Sequence, residues 1–162
     1  MSLKQYICNQ VGHFKTKNIY GKESCLVIQQ NGNDMMIPIN RAFHRNCNGE
    51  PIERWAWRNK TQICNMNGYC LSESTENKNF IFLHLARYDP SITSQKWKMD
   101  YKGVITNIDS FLCHFGDSSI VNVEKGYAKT PIVLVPDKSI CISWSFVPIL
   151  NEKNETVCAD FD

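Results

Sequence analysis

The sequence lacks the features that would indicate a membrane protein or a nucleic-acid-binding protein. Its longest apolar runs, at residues 80–86 and 131–136, are far shorter than the roughly 20 residues that a membrane-spanning helix needs. The net charge is only +2, and the lysines and arginines are scattered among acidic residues, so they form no basic stripe. We therefore expect no membrane insertion by this segment and no nucleic acid as a partner.

Motifs for catalysis and for cofactor binding are also missing. The sequence has no phosphate-binding glycine loop and no strand–turn–helix signature around a nucleophile. A Cys–His pair that meets only in space would leave no such local signature. The stretch from His44 to Cys47 has a metal-like spacing, but no second pair of ligands follows at the usual zinc intervals. We therefore predict a protein that is not an enzyme and has no cofactor and no metal.

A secretory signal is not recognisable at the N-terminus, so a signal has been removed or there never was one. Eight cysteines in 162 residues, an even number, nevertheless favour a disulfide framework in an oxidising compartment. Two N-glycosylation sequons, at Asn59 and Asn154, point in the same direction. We therefore expect a secreted glycoprotein or an extracellular domain of a membrane receptor.

The pattern of apolar residues predicts strands throughout one domain. The length is enough for a single sizeable core, and no interior stretch resembles a linker. Short runs of aromatic and β-branched residues alternate with turn residues, and no window has a sustained helical period, so the fold class is all-β. The predicted strands are residues 6–10, 24–30, 35–40, 54–58, 61–66, 69–73, 80–86, 95–99, 104–108, 111–115, 119–123, 132–135 and 141–147.

Three tryptophans divide the chain into units of similar length. Trp55, Trp97 and Trp144 follow one another at intervals of 42 and 47 residues, and the related stretches 62–65 and 104–107 are also 42 residues apart. A fixed period in this range is typical of a repeat architecture. We therefore predict three pseudo-repeats of about four strands each. The three units and the C-terminal tail are predicted at residues 4–57, 58–100, 101–149 and 150–162.

Each unit closes with a triplet related to Gln-x-Trp, of which Gln95-Lys96-Trp97 is the best preserved. A threefold set of four strands that ends in this way resembles the ricin-type β-trefoil, and the pattern is most similar to the N-terminal cysteine-rich domain of the mannose receptor family. The resemblance implies a β-trefoil in which the three tryptophans pack together as core residues. The stretches that carry it, within roughly residues 24–146, are 54–57, 68–71, 80–85, 95–98, 103–105 and 131–134.

The resemblance also implies two disulfides. Cys25 and Cys47 stand where trefoil lobes of this family bridge neighbouring strands, and closing that loop would remove about 3 kcal/mol of unfolded-state freedom. Cys8 and Cys158 are expected to pair because the two ends of a trefoil lie close together. We therefore predict a disulfide-stabilised fold with these two bonds.

In the second unit the pairing is harder to predict. Cys70 stands at the place of Cys25, but its partner would fall near Ala86, so its bond is irregular or absent. Asn67-Gly68 is a typical two-residue hairpin turn, because a type I′ turn needs positive φ at both central residues. Such a turn places Asn65 opposite Cys70 and points Cys64 to the other side of the hairpin. We therefore predict that Cys64 and Cys70 are not bonded.

Lectins of the ricin type bind galactose through an aspartate two residues after a Cys-Leu pair, an aromatic platform, and an Asn-Gln pair that enters the triplet. Here Val27 and Ser72 stand at the aspartate position of the first two units, and the 42-residue offset places His114 there in the third. No unit therefore keeps the complete galactose site. The residues at the asparagine position are Ile52, Ser94 and Cys141.

The best remnants of a carbohydrate site are in the second unit. They are Ser72, Tyr88 as the platform, and Gln95 at the start of the triplet, and they suit a neutral sugar. The mannose receptor domain binds sulfated sugars in its third lobe, where this sequence offers Lys138 and Ser139 for an anion, unless these form only a solvated turn. No acidic cluster supplies the six or more oxygens that calcium takes, so we expect calcium-independent binding.

Two functions remain open from the sequence. The first is a carbohydrate-binding module with a glycan or glycoprotein as partner. The second is a trefoil that has lost its sugar sites and binds another protein, as part of a larger receptor or secreted factor. Some relatives of the mannose receptor keep the domain without the sulfated-sugar activity. This sequence departs in that direction, with Cys141 in place of the stacking tryptophan.

Overall fold

The computed structural model describes residues 8–17, 21–28, 42–74, 81–107, 110–114, 122–124, 127–135 and 143–161. No helix in these ranges is both long enough and apolar enough to cross a lipid bilayer. Two short 3-10 turns, Pro51–Glu53 and Thr93–Gln95, precede the tryptophans of the first and second units. The strands of the described ranges are β1 (Asn9–Lys17), β2 (Glu23–Ile28), β3 (Ala42–Asn46), β4 (Trp55–Arg58), β5 (Gln62–Cys64), β6 (Tyr69–Ser74), β7 (Ile81–Arg87), β8 (Lys98–Met99), β9 (Ile105–Asn107), β10 (Ser110–His114), β11 (Asn122–Glu124), β12 (Tyr127–Val135), β13 (Ser145–Pro148) and β14 (Cys158–Ala159).

The strands pair in a closed threefold arrangement. The last strand of each unit pairs with the first strand of the next: β4 with β5, β8 with β9, and β13 with β1. The middle strands of each unit form a hairpin: β2 with β3, β6 with β7, and β10 with β12. These hairpins meet because β12 also pairs with β3 and β7. The closure protects the sheet edges, and the prediction of an all-β β-trefoil with three pseudo-repeats is confirmed.

The three tryptophans lie in the core, as the resemblance implied. All three are buried. The indole N–H of Trp55 donates to the Leu26 carbonyl at 3.0 Å, and that of Trp97 donates to the equivalent Leu71 carbonyl at 2.9 Å. The indole N–H of Trp144 has no hydrogen-bond partner within the described ranges. The other buried members of the core cluster are Phe14, Leu26, Ile28, Ile63, Leu71, Leu85 and Ile105.

Two disulfides join the pairs that were expected from the resemblance. Cys25 on β2 is bonded to Cys47 just after β3, with their Cα atoms 5.1 Å apart. Cys8 is bonded to Cys158 on β14, with their Cα atoms 5.2 Å apart. Because β14 pairs with β1, the second bond fixes the two ends of the described chain to one another.

The prediction that Cys64 and Cys70 are not bonded is wrong. They are direct cross-strand partners joined by a disulfide, with their Cα atoms 3.9 Å apart. The turn is not type I′, because Gly68 has positive φ (86°) and Asn67 does not. The Gly68 N–H instead donates to the Asn65 carbonyl at 3.4 Å, which makes the turn one residue longer than expected. The added residue shifts the register by one and brings both sulfurs to the same face.

The predicted and observed strands differ most clearly at residues 42–46 and 95–99. The predicted strand at residues 35–40 lies outside the described residues, and the strand at Ala42–Asn46 was not predicted. That strand carries two buried polar residues, and one of them, His44, shares a 2.7 Å hydrogen bond between its Nδ1 atom and the Ser24 hydroxyl. Such a strand lacks the apolar alternation on which the prediction depends. The predicted strand at 95–99 is a 3-10 turn followed by the short β8.

A buried ion pair fixes the connection between β3 and β4. The Glu53 carboxylate is fully buried and accepts a hydrogen bond from the Arg45 guanidinium at 3.0 Å. It also accepts from the backbone N–H groups of Asn48 and Gly49 at 3.0 and 3.1 Å. Burial acts to raise the pKa of Glu53, but the Asn48 N–H and the Arg45 side chain hold it below its ordinary value. The carboxylate is therefore charged at neutral pH and organises this loop.

Replacing Gly103 with alanine is expected to lower the free energy of unfolding by about 2–3 kcal/mol. Gly103 has φ of 83°, and an added Cβ atom would lie 2.1 Å from the Trp144 carbonyl oxygen. Gly68→Ala is the matched control, because Gly68 has φ of 86° and its added Cβ atom would meet nothing within 4 Å. Urea denaturation of both variants separates the two effects. Equal losses would contradict close packing between Gly103 and Trp144.

Candidate functional site

The second lobe brings together Ser72, a predicted sugar-site residue, and Ser94, which stands at the asparagine position of ricin-type lectins. Ser72 lies on β6, and Ser94 lies in the 3-10 turn before Trp97. Their hydroxyl oxygens are 3.3 Å apart, although the two residues are 22 positions apart in sequence. Ser72 is buried and Ser94 is half-buried, so the pair reaches the surface through Ser94. The positions of aspartate and asparagine in ricin-type lectins are therefore adjacent here and hold hydroxyl groups.

Gln95 lies beside this pair but faces inward. Only 1 % of the residue is exposed. Its Nε2 atom donates to the Arg87 carbonyl at 2.7 Å, and its Oε1 atom accepts from the Asp89 backbone N–H at 3.0 Å and from Gln62 Nε2 at 3.1 Å. These bonds hold the loop between β7 and the 3-10 turn against β5. In this arrangement Gln95 shapes the loop that borders the candidate site.

Tyr88, the proposed platform, starts the same loop and is held by a different part of the chain. The guanidinium carbon of Arg58 lies 3.4 Å from the centroid of the Tyr88 ring and covers one of its faces. The Tyr88 hydroxyl accepts a 2.7 Å hydrogen bond from Asn59 Nδ2. Arg58 also donates to the Phe161 carbonyl at 2.9 Å and packs on the Phe161 ring. A sugar could therefore stack only on the face of Tyr88 opposite Arg58.

Asp89 adds a carboxylate that the sequence analysis did not assign to the site. The Ser91 hydroxyl and the Ser91 backbone N–H donate to Asp89 Oδ1 at 2.6 and 2.9 Å. These hydrogen bonds, from the hydroxyl first and then the backbone, lower the pKa of Asp89 below its ordinary value. The carboxylate is therefore ionised at neutral pH. It directly follows Tyr88 in sequence and lies in the same loop.

The first and third lobes provide fewer described residues that could contact a sugar. Val27, at the aspartate position of the first lobe, is fully buried and has an apolar side chain, so it provides no acceptor. Lys138 and Ser139, the predicted anion contacts of the third lobe, lie outside the described residues. The backbone of His114 lies on β10, opposite Ile132 on β12. The described geometry of a candidate site is thus confined to the second lobe.

Both glycosylation sequons lie at exposed turns. Asn59 and Lys60 have φ of 53° and 62°, and the Thr61 N–H donates to the Arg58 carbonyl at 3.2 Å, so these residues form a type I′ turn between β4 and β5. Asn154, with φ of 61°, lies in an exposed turn within residues 151–156. Both asparagine side chains are therefore placed where an N-glycan can be attached.

One group of side chains within the described ranges has the spacing of a metal site: Cys25, Cys47 and Glu53. The two sulfurs are bonded to one another, and the Glu53 carboxylate is engaged by the ion pair described above. His44, which was considered with Cys47 as part of a metal-like spacing, shares its Nδ1 atom with the Ser24 hydroxyl. The ligand atoms of this group are thus already in use within the protein.

Solved structures with a similar fold include β-trefoil lectins. The Vibrio vulnificus hemolysin/cytolysin β-trefoil lectin, with N-acetyl-D-lactosamine bound, matches with a TM-score of 0.57 and 10% identity over 85% of this chain and 94% of that chain. The fold of this chain is that of the β-trefoil lectins. The C-half of the earthworm R-type lectin, in complex with GalNAc, matches with a TM-score of 0.56 and 14% identity over 85% of this chain and 98% of that chain.

A plant protein has the same fold within a longer chain. A non-toxic homologue of type II RIPs from Momordica charantia (bitter gourd), in complex with α-methyl-D-galactoside, matches with a TM-score of 0.57 and 20% identity over 85% of this chain. This chain spans 48% of that protein. No family model and no curated protein sequence matches the chain. At such low identities the shared property is the fold, and a ligand must be argued from the site.

Proposed function

We propose that this chain is an extracellular recognition module that binds a neutral carbohydrate in its second lobe without calcium. The observation that carries the proposal is the pairing of Ser72 and Ser94 at 3.3 Å beside the loop that holds Tyr88 and Asp89. The fold supports it, because three proteins with a similar fold were solved with N-acetyl-D-lactosamine, α-methyl-D-galactoside and GalNAc.

The chemistry of the loop suits a neutral sugar. Hydroxyl groups such as that of Ser94 both donate and accept, and the ionised Asp89 carboxylate accepts from sugar hydroxyls. The face of Tyr88 opposite Arg58 can cover the apolar side of a sugar ring. Because serines replace the aspartate and asparagine of ricin-type lectins, the site makes fewer charge-assisted hydrogen bonds, and we expect a Kd of roughly 1 mM for a single sugar.

The extracellular location rests on covalent chemistry. The three disulfides of the described chain persist in an oxidising compartment, and the two exposed sequons suit a secretory route. The sequence resemblance to the cysteine-rich domain of the mannose receptor family adds the proposal of a receptor ectodomain. For the third lobe we propose an acidic or sulfated sugar held by Lys138 and Ser139.

A second function, protein recognition by a trefoil without sugar binding, is favoured by two observations. Arg58 covers one face of Tyr88. Gln95 faces inward, and both its amide nitrogen and its amide oxygen form hydrogen bonds within the protein. A lobe with these features has less surface to offer a sugar than a lobe with an uncovered ring. A glycan array that includes neutral and sulfated sugars separates the two functions, because the protein-binding alternative predicts no hits.

Replacing Tyr88 with alanine is expected to weaken binding of a neutral array hit by about 3- to 10-fold, because the stacking surface is lost. Calorimetric titration measures this, with Ser145→Ala as the control, since Ser145 is exposed on β13 in another lobe. A chelator should leave binding unchanged. Loss of binding with chelator, or full binding by Tyr88→Ala, would contradict the assignment. Loss of binding only in Lys138→Ala would move the site to the third lobe.

A further inference from the structure

The sequon at Asn59 adjoins the aromatic residue of the proposed sugar site. The Asn59 Nδ2 atom, to which an N-glycan is attached, lies 2.7 Å from the Tyr88 hydroxyl oxygen. We propose that an N-glycan on Asn59 packs its first N-acetylglucosamine residue against Tyr88 and thereby occupies the platform of the second lobe. This inference rests on the proposed function for its consequence, although the contact itself does not require it.

The geometry of the turn leaves the glycan little freedom of position. Asn59 and Lys60 are held in a type I′ turn, with φ of 53° and 62°, so the side chain of Asn59 starts from a fixed backbone. The linked amide keeps one N–H, which can still donate to the Tyr88 hydroxyl. The first sugar must therefore begin at the hydroxyl edge of the ring. Because Arg58 covers one face at 3.4 Å, the opposite face is the apolar surface within its reach.

The second sequon provides an internal comparison. Asn154 lies among residues 151–156, which are all exposed, and the Asn151 side chain accepts hydrogen bonds from the Lys153 and Glu155 backbone N–H groups of the same turn. A glycan on Asn154 would extend into solvent from a turn that is closed by its own backbone. We therefore expect the glycan on Asn59 to stabilise the domain through Tyr88. Any effect of the glycan on Asn154 on stability should not depend on Tyr88.

The functional consequence is competition within the same lobe. A sugar of the glycan that covers the face of Tyr88 opposite Arg58 excludes a free sugar from that face. In a chain that carries a glycan on Asn59, the glycan occupies the sugar site of the second lobe. In a chain without this glycan, the site is available to a free sugar. Occupancy of the sequon would therefore set how much of the secreted protein can bind a neutral sugar.

The test uses melting temperatures of the full chain from a glycosylating host, trimmed by an endoglycosidase to a single N-acetylglucosamine. Thr61→Ala removes the sequon and leaves Asn59 in place. Wild type and Thr61→Ala are also produced without glycosylation, and the difference between their melting temperatures corrects for the loss of the threonine side chain. We expect the sugar to raise the melting temperature by about 2–4 °C in the wild type and in Tyr88→Phe, and by less than about 1 °C in Tyr88→Ala. Thr156→Ala, which removes the Asn154 sequon, is the matched control.

An equal stabilisation in Tyr88→Ala, no stabilisation in the wild type, or an unmodified Asn59 by mass spectrometry would each overturn the proposal. A second readout, titration with a neutral sugar, should show tighter binding by Thr61→Ala than by the trimmed wild type, by about 3- to 10-fold. Absence of binding by both forms would contradict the proposed function. The contact between the glycan and Tyr88 is decided by the melting temperatures alone.

Discussion

Replacing Trp97 with alanine is expected to lower the free energy of unfolding by about 3–5 kcal/mol. Trp97 is only 1 % exposed, packs in the core cluster, and donates its indole N–H to the Leu71 carbonyl at 2.9 Å. Alanine would leave a cavity at the centre of the trefoil and would remove that hydrogen bond. Because the free energy of unfolding of small domains is only about 5–15 kcal/mol, this loss would remove a large part of it. Urea denaturation followed by far-UV circular dichroism, with the disulfides intact, measures it.

The control for this prediction lies four residues further along the chain. Tyr101 is an aromatic residue of similar size that is 92% exposed, so Tyr101→Ala should change the free energy of unfolding by less than about 0.5 kcal/mol. Trp97→Phe should fall between the two, because it keeps most of the packing and loses the hydrogen bond to Leu71. A Trp97→Ala variant that unfolds at the same urea concentration as the wild type would show that Trp97 is not a core residue.

The threefold fold could be predicted from the sequence because each unit places a buried tryptophan at the same position in the core. Trp55 and Trp97 donate to the carbonyls of Leu26 and Leu71, and both leucines directly follow a cysteine. The same geometry therefore leaves the same residue types in the same order, with leucine and tryptophan 29 positions apart in the first unit and 26 in the second. Trp144 lacks the equivalent hydrogen bond within the described ranges. In its unit, Cys141 stands at the asparagine position directly before the triplet that ends in Trp144.

The register of the hairpin between β5 and β6 could not be predicted, because a side chain decides it. The Asn65 side chain accepts hydrogen bonds from the backbone N–H groups of Asn67 and Tyr69, at 2.9 and 3.1 Å. This contact stabilises a three-residue loop, whereas the Asn67-Gly68 pair alone favours a two-residue loop. The difference of one residue changes the partner of Cys70 from Asn65 to Cys64 and permits the disulfide.

The sequence predicted which residues of the second lobe form a candidate site, but it could not predict how these residues contact the rest of the protein. The resemblance placed Ser72 and Tyr88 in one lobe, and spacing alone gave no sign that Arg58 covers the ring of Tyr88. That contact joins residues 30 positions apart through the pairing of β4 with β5 and the folding of the loop on Gln95. Such a contact depends on the tertiary structure, and no local pattern of residue types indicates it.

Replacing Glu53 with glutamine is expected to lower the free energy of unfolding by about 3 kcal/mol at neutral pH, which is in the range for breaking a buried ion pair. The Arg45 guanidinium would lose its buried anionic partner, and the glutamine amide group would present a donor to the N–H groups of Asn48 and Gly49. The matched control is Glu23→Gln. Glu23 pairs with Lys15 at 3.4 Å on the surface, so its loss should cost less than about 1 kcal/mol.

The pH dependence distinguishes the charge of Glu53 from its packing. Because the pKa of Glu53 is lower in the folded protein than its ordinary value of 4.5, the unfolded state binds the proton more tightly. The stability that this charge contributes is therefore complete above about pH 4.5 and is lost as the pH falls through the lowered pKa. The difference between wild type and Glu53→Gln, measured by urea denaturation from pH 7 down to pH 3, should shrink over the acidic part of this range. A difference that stays constant over the whole range would show that the neutral packing of Glu53, and not its charge, stabilises the loop between β3 and β4.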